Sequence, residues 1–316
     1  MIGFSYVSFG SPNSIAALFG SCFERARGNS FDFTSFGGLS IDGLVGLLPI
    51  IRHRFVRCDF VVLEICTSNF SLNGGSIASA REFLIDIIQF IRRVSRAEVI
   101  FLKLYRPDLL DGDTVLEAVE SLGREYSVPL CEVTPSNCPQ FEFRTVDGVH
   151  PDEETREFIA SQVLQFVNNL KRPAATQPWN EIPPRYEFLR LDCLSQDNAF
   201  PFNGKGFYLV ARMLKPGEHI TLISENGFTL YGIYFLYGPE TGYIHVEPRN
   251  GICYDIRSFD KRSYYRRLGF ARLDCPSTAC VISCSSITSK IIPFKETHLE
   301  LMSRREFICG VLIKRL

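Results

Sequence analysis

The sequence predicts two structural classes in one chain: an α/β unit built on a parallel sheet, followed by an antiparallel β-sandwich or jelly roll. Three observations lead to this prediction. Apolar runs alternate with amphipathic helical patterns in the first half, four prolines interrupt the middle, and the second half alternates apolar and polar residues. At 316 residues the chain is long enough for two domains. We expect an α/β domain at 1–172, a proline-rich linker at 173–184 and a β domain at 185–316.

The α/β prediction depends on the order of elements before the linker. Short apolar runs with the composition of buried strands lie at 14–19, 59–66, 97–104 and 127–133. Apolar residues at three- and four-residue spacing predict helices at 77–94, 114–126 and 152–170. Because strands that alternate with helices form parallel sheets, we expect one sheet with helices on both faces.

After the linker the pattern changes to short strands of alternating polarity. Turn residues separate these strands, and Asn226-Gly227 is a strong hairpin signal, since Asn-Gly is typical of two-residue hairpin loops. We therefore expect a hairpin at Glu225-Asn226-Gly227 within an antiparallel sandwich or jelly roll.

The composition excludes several classes of protein. Charged residues make up 22% of the chain and hydrophobic residues 46%, which rules out coiled-coil, collagen-like and wholly disordered chains. With 34 basic and 35 acidic residues the formal net charge is −1, so we expect no general attraction to nucleic acid or to an anionic membrane. We find no apolar run that reaches the roughly 20 residues of a membrane span.

The cysteines indicate a compartment. There are 11 of them, an odd number, and the first residues lack the basic and apolar regions of a secretory signal. This is typical of a reducing environment rather than a disulfide scaffold, and we expect a cytoplasmic protein. Cys275, Cys280 and Cys284 lack the Cys-x-x-Cys spacing of zinc sites and fit alternating strand positions better, so we expect no metal.

Two short motifs carry candidate catalytic residues. Gly20-Ser21-Cys22-Phe23 follows the first predicted strand, where a nucleophile would lie on the turn into the first helix and the helix N-terminus would favour a Cys22 thiolate. Asp147-Gly148-Val149-His150-Pro151 precedes the last helix, and its spacing lets one turn hold an imidazole and a carboxylate that orients it. The alternatives are a buried structural thiol for Cys22 and a helix-capping role for Asp147 and His150.

The Asp147–Pro151 motif resembles the Asp-x-x-His block of the SGNH (GDSL-like) hydrolase and acyltransferase superfamily. Gly20–Phe23 resembles the nucleophile block of its GSCFA-like branch, which has cysteine at this place. Asp59–Asn69 is similar to the third block of the superfamily, and Gly38–Asp42 to the second. The resemblance covers residues 14 to about 170 and implies a flavodoxin-like parallel sheet, the SGNH fold.

The resemblance also implies the residues of an active site. Cys22, His150 and Asp147 would form a Cys-His-Asp triad. Cys22 occupies the position of the family's serine and Ser21 that of its aspartate, which leaves Ser21 as the alternative nucleophile.

The implied oxyanion hole consists of the backbone N–H groups of Cys22 and Ile41 and the side-chain amide of Asn69. Two of these positions depart from the family pattern. Ile41 replaces a glycine, although its N–H remains, and Asn69 matches the family's asparagine only after a shift of one residue.

The implied function is acyl-ester chemistry on a carbohydrate, by an O-acyltransferase or an esterase of bacterial surface-polysaccharide or glycoconjugate metabolism. A thioester on Cys22 slightly favours transfer, with acetyl-CoA as acyl donor, whereas an esterase needs no cofactor. The second domain would bind or position the glycan. A catalytically decayed glycan-binding or scaffold protein is the alternative from another class, and a lipid esterase is less favoured because no amphipathic lid is visible. The sequence indicates no particular oligomeric state.

Overall fold

A computed structural model describes residues 1–4, 12–28, 30–37, 39–68, 70, 74–95, 97–107, 113–170, 184–191, 198–238, 241–249, 251–259, 266–284 and 305–314. The chain divides into two compact units, Met1–Pro183 and Pro184–Leu316. The predicted linker at 173–184 lies outside the described residues except for Pro184.

The first unit alternates strands and helices. In chain order these are β1 (Ile2–Gly3), α1 (Ile15–Arg27), β2 (Thr34–Ser35), α2 (Ile41–Val45), a 3₁₀ turn (Arg52–Arg54), β3 (Phe60–Glu64), α3 (Ile77–Val94), β4 (Glu98–Leu104), α4 (Thr114–Glu125), β5 (Leu130–Val133) and α5 (Glu153–Asn169). Neighbouring strands are all parallel, in the order β2-β1-β3-β4-β5. This is the flavodoxin order. Successive strands are added on one side of β1 and then on the other, so the order switches between β1 and β3. The predicted parallel α/β sheet is confirmed.

Helices cover both faces of this sheet. Successive residues of a strand point to opposite faces, and the consecutive residues Val61, Val62 and Leu63 of β3 are all buried. On one face, side chains of β3, β4 and β5 form a core with α1 and α5, whose buried members include Ile15, Phe19, Val62, Ile100, Leu102, Ile159 and Val163. Because both faces of the sheet are covered, the turns that connect strands and helices lie at its two edges.

The first strand is not where the sequence predicts it. Residues 14–19 open helix α1, and the first strand lies upstream at Ile2–Gly3. The Ser14 side chain accepts a hydrogen bond from the N–H of Ala17, which caps the helix. Gly28 ends it with a left-handed φ of 66°, a conformation that favours glycine. Once the cap is in place, the apolar run follows a helical period and buries one side.

The second unit is built of antiparallel strands. They are β6 (Tyr186–Arg190), β7 (Ala199–Gly204), β8 (Phe207–Leu214), β9 (His219–Tyr237), β10 (Tyr243–Pro248), β11 (Tyr254–Arg257), β12 (Arg267–Cys284) and β13 (Glu306–Lys314). Within the described residues they pair in the order β11-β10-β12-β9-β13-β8-β7. The sheet forks at β13, because one edge of β13 pairs with β8 near its start and with β6 near its end. The predicted antiparallel β domain is confirmed.

The predicted hairpin at Glu225-Asn226-Gly227 is wrong. Strand β9 continues through these residues from His219 to Tyr237. Its Ile223 pairs with Ala279 and its Phe228 with Ser277, so residues 224–227 lie opposite one residue of β12 and form a bulge. Gly227 has a φ of 73°, and the Asn-Gly pair therefore bends a long strand instead of ending one.

Candidate active site at the carboxyl edge of the parallel sheet

The strand order places a crevice at the carboxyl ends of β1 and β3. In sheets of this type, the connections after these two strands leave toward opposite faces and ligands bind between them. The two strand ends are joined here by a hydrogen bond from the Phe4 N–H to Glu64 Oε2, 3.4 Å long. Helix α1 follows β1 and α5 follows β5, so the turns that precede both helices lie at this edge of the sheet.

The turn before α5 brings Asp147 and His150 into contact. His150 Nδ1 lies 2.7 Å from Asp147 Oδ2. The other carboxylate oxygen, Oδ1, accepts the backbone N–H groups of His150 at 2.7 Å and Val149 at 3.0 Å. Gly148, with a φ of 80°, permits the tight turn between them. The turn is closed by the Val146 N–H, which donates to the His150 carbonyl at 2.9 Å.

These contacts fix the charge of Asp147. Its partial burial tends to raise its pKa, but the hydrogen bonds from the His150 ring, the His150 N–H and the Val149 N–H outweigh burial and lower the pKa from 3.8 to about 2. The carboxylate is therefore ionised at neutral pH and binds Nδ1 of the imidazole. Nε2 is then the ring nitrogen that can exchange a proton with a bound substrate. The His150 side chain is 22% exposed, which leaves it accessible to solvent.

The start of α1 lies beside this turn. Asn13, the second residue before the helix, donates from Nδ2 to Glu153 Oε1 of α5 at 3.0 Å. Its carbonyl accepts Arg156 Nε at 2.7 Å, and Arg156 Nη1 donates to the carbonyl of Pro151 at 2.9 Å. The residue that follows His150 and the residue that precedes the Ser14 cap are thus held by the same guanidinium.

The structure places Cys22 and Ser21 elsewhere. They are the eighth and seventh residues of α1, not members of a turn between strand and helix. At 1.5 Å per residue, Cys22 lies about 10 Å along the axis from Ile15, beyond the first turn in which a helix N-terminus stabilises a thiolate. Its sulfur accepts a hydrogen bond from Arg25 Nη2 at 3.5 Å. The predicted placement of both residues is wrong, and the nucleophilic role of either stays a prediction.

Of the other two predicted oxyanion residues, Ile41 is among the described residues and Asn69 is not. The Ile41 N–H donates to Ser68 Oγ at 3.3 Å and Ile41 is fully buried, so in this structure its N–H is not directed at a ligand. Ser68 Oγ also accepts the N–H of Phe70 at 3.2 Å, and this hydroxyl joins the first residue of α2 to the turn after β3. The oxyanion role of Ile41 therefore stays a prediction, and it would require the N–H to exchange its Ser68 partner for the substrate. Asn69 lies outside the described residues, and its role stays a prediction.

A buried acid at this edge, Glu64, is not among the site residues that the sequence predicts. Glu64, the last residue of β3, is completely buried, and its carboxyl group accepts the Thr67 N–H and the Thr67 hydroxyl at 3.0 Å each. Burial raises its pKa from 4.5 to about 7, although the Thr67 and Phe4 hydrogen bonds and the charge of Arg106 oppose the rise. Its signal in the sequence was a single acid inside an otherwise apolar strand.

Glu64 is expected to make folding pH-dependent. Its folded pKa lies above its unfolded value, so the stabilisation from its proton is complete below pH 4.5 and is lost as the pH rises to about 7. The loss is on the order of 3 kcal/mol. Urea unfolding at pH 5 and pH 8 should show a larger decrease in unfolding free energy for the wild type than for Glu64→Gln, which cannot ionise. An equal decrease in both proteins would contradict the assignment.

Three further observations concern metal sites, disulfides and membrane spans among the described residues. No cluster of three His, Cys, Asp or Glu side chains able to hold a metal ion occurs in that part of the chain. Its cysteines are all free thiols. None of the helices that the structure describes is both long and apolar enough to cross a membrane.

A cavity of about 580 Å³ lies at the opposite, amino-terminal edge of the sheet. Asp59 and Phe60 at the start of β3 contribute to its wall, together with Phe19 and Phe23 of α1. Arg54 on its wall is already paired with Asp32. The cavity is therefore separate from the Asp147–His150 turn, and we assign the candidate active site to the turn, where the groups able to transfer protons meet.

Comparison with known proteins gives a structural match but none by sequence. No protein-family model and no curated protein matches the sequence. Among solved structures, a two-domain esterase (CEX) active on acetylated mannans, co-crystallised with mannopentaose, superposes with a TM-score of 0.63 over 100% of this chain and 90% of that one. The two sequences are 12% identical, so the likeness concerns the fold.

Partial matches cover about half of the chain. A lipolytic protein of the G-D-S-L family from Veillonella parvula is 16% identical over 54% of this chain and 97% of its own, with a TM-score of 0.41. A family 3 carbohydrate esterase from Talaromyces cellulolyticus is 14% identical over 54% of this chain and 98% of its own, with a TM-score of 0.42. The chain has the fold of the two-domain esterase, and its own two units are a parallel α/β unit and an antiparallel β unit.

Proposed function

We propose that the α/β unit performs acyl-ester chemistry on a carbohydrate, with His150 as general base and acid and Asp147 as the group that orients it. The observation that carries the proposal is the 2.7 Å contact between His150 Nδ1 and Asp147 Oδ2 on a turn beside the start of α1. The fold shared with an esterase active on acetylated mannans supports the reaction class and the carbohydrate.

The reaction follows from this arrangement. His150 Nε2 takes the proton of a nucleophilic hydroxyl or thiol as the nucleophile attacks the acyl carbonyl. The tetrahedral intermediate collapses as the imidazolium returns the proton to the departing sugar oxygen, which leaves an acyl-enzyme. A water molecule or a second sugar hydroxyl then attacks the acyl-enzyme by the same steps. Ionised Asp147 stabilises the imidazolium in both halves.

The nucleophile must lie within hydrogen-bond reach of His150. The sequence predicts Cys22, but Cys22 lies two turns into α1. The start of the helix is better placed, because Asn13 is tied through Arg156 to the residue after His150. Ser14, the described hydroxyl at this point, caps α1 and is fully buried, so it marks the segment where helix N–H groups can stabilise a developing oxyanion. We favour a nucleophile at the start of α1 over Cys22.

Acid-quenched mass spectrometry identifies the nucleophile. The wild type is incubated with p-nitrophenyl acetate, or separately with acetyl-CoA, and then digested with chymotrypsin, whose cleavage after Phe19 separates Ser14 from Cys22. We expect one acetyl group in the fragment ending at Phe19, with Cys22→Ala labelled like the wild type. Acetyl on Cys22 would instead restore the triad predicted from the sequence.

The same incubation separates esterase from transferase. Turnover of p-nitrophenyl acetate without an added sugar is the expected result for an esterase, which needs no cofactor. Labelling by acetyl-CoA alone, followed by transfer to an added oligosaccharide, would identify an acyltransferase and fit a role in surface-polysaccharide or glycoconjugate metabolism. The second candidate function is that of a glycan-binding or scaffold protein, which the hydrogen bond from the Ile41 N–H to Ser68 favours. For such a protein we expect neither an acetyl label nor turnover.

A further inference from the structure

Arg156 occupies an unusual place for a cation. It lies in the first turn of α5, where the helix dipole favours acidic side chains, as at the neighbouring Glu153 and Glu154. It is also 8% exposed, and burying a guanidinium is costly unless its N–H groups are bonded. A position that is unfavourable by both criteria requires specific contacts to hold it.

Two of these contacts end on backbone carbonyls of the candidate site. Nε donates to the Asn13 carbonyl at 2.7 Å and Nη1 to the Pro151 carbonyl at 2.9 Å. Asn13 immediately precedes the Ser14 cap of α1, and Pro151 immediately follows His150. Because the guanidinium is planar and rigid, it fixes the separation of the two carbonyls.

We propose that Arg156 is a positioning residue that sets the distance between His150 and the start of α1. The inference rests on the proposed function, since it assigns Arg156 to the geometry of proton transfer between these segments. In this role Arg156 acts through the backbone of its neighbours. Displacing a catalytic group by about 1 Å lowers rates by on the order of 100-fold. Loss of the two hydrogen bonds from Arg156 should therefore act mainly on kcat.

The test compares Arg156→Gln and Arg156→Lys with Arg144→Gln. Arg144 is a matched control on the same connection, with an exposed side chain paired to Glu142 and Glu154. We expect the two Arg156 variants to lower kcat for p-nitrophenyl acetate 10- to 100-fold with KM within about threefold. Added ethylguanidine should restore part of the kcat of a further variant, Arg156→Ala, because it supplies the atoms that alanine lacks, and a general loss of stability would not respond in this way. Arg144→Gln should behave like the wild type.

A second readout does not depend on turnover. In NMR spectra, Arg156→Gln should shift both the Ser14 amide and the His150 ring signals, and Arg144→Gln should shift neither. A folded Arg156→Gln protein with unchanged kcat and unchanged signals at both residues would overturn the inference. If His150→Ala retained full activity, the proposed function would fail instead, so parallel assay of that variant keeps the two failures distinct.

Discussion

Replacement of His150 by alanine is expected to lower kcat for p-nitrophenyl acetate by about 10³-fold, because the general base and acid of both half-reactions is lost. Steady-state kinetics measures the effect, and KM should change little since the imidazole transfers protons rather than binding the acyl group. The reduction should appear with acetylated oligosaccharides as well.

The β unit offers a matched control for this variant. His245 Nδ1 lies 3.0 Å from Asp255 Oδ1, a second His–Asp pair of similar geometry and partial exposure. It joins two neighbouring strands, β10 and β11, and belongs to the other compact unit. His245→Ala should retain wild-type kcat. Loss of activity in His245→Ala together with full activity in His150→Ala would assign the chemistry to the β unit and refute the proposed site.

Replacement of Asp147 by asparagine is expected to lower kcat by 10²- to 10⁴-fold. The amide has no charge to stabilise the imidazolium, and it can present its NH₂ group to Nδ1, which favours the wrong tautomer of His150. The backbone N–H groups of Val149 and His150 can still donate to the remaining oxygen, so the turn should persist. Asp255→Asn serves as the control.

The pH profile sharpens the Asp147 prediction. Because its pKa is lowered from 3.8 to about 2, the interactions of ionised Asp147 are present above about pH 4 and lost as the pH falls toward 2. Because an imidazole changes its charge between pH 5 and pH 8, the two proteins are compared above that range, where the kcat deficit of Asp147→Asn should be constant from pH 8 to pH 9. A deficit that vanished between pH 8 and pH 9 would show that Asp147 is not the charged partner of His150.

The two catalytic substitutions should not add. If Asp147 acts only through His150, the double variant Asp147→Asn/His150→Ala should have nearly the kcat of His150→Ala alone. Losses that multiplied in the double variant would show that the two side chains act independently.

The sequence predicts long, strongly periodic elements well. Helix α3 has the predicted bounds, 77–94, and α5 runs from Glu153 to Asn169 against a prediction of 152–170. Strand β4 at Glu98–Leu104 departs by one residue from the predicted 97–104. The Asp147–His150 contact was likewise accessible, because it depends on a turn of a few residues and not on distant parts of the chain.

The parts that could not be predicted depend on context. A run of five apolar residues, 15–19, fits a strand or a buried helix equally well, and the capping bond of Ser14 decides for the helix in α1. That one difference moves Cys22 from a turn into a helix. The Ile41 N–H is bound by Ser68, which is 27 residues away in the sequence. Arg156 donates to the carbonyl of Asn13, which is 143 residues away. Such long-range partners leave no local pattern in one sequence.

Release of acetate from an acetylated manno-oligosaccharide tests the central claim most directly. ¹H NMR follows free acetate in parallel for the wild type, His150→Ala and His245→Ala. We predict release by the wild type and by His245→Ala, and at most about a thousandth of that rate by His150→Ala. Equal rates for the wild type and His150→Ala would contradict the account, as would binding of the oligosaccharide by the wild type with no release of acetate and no labelling by acetyl-CoA.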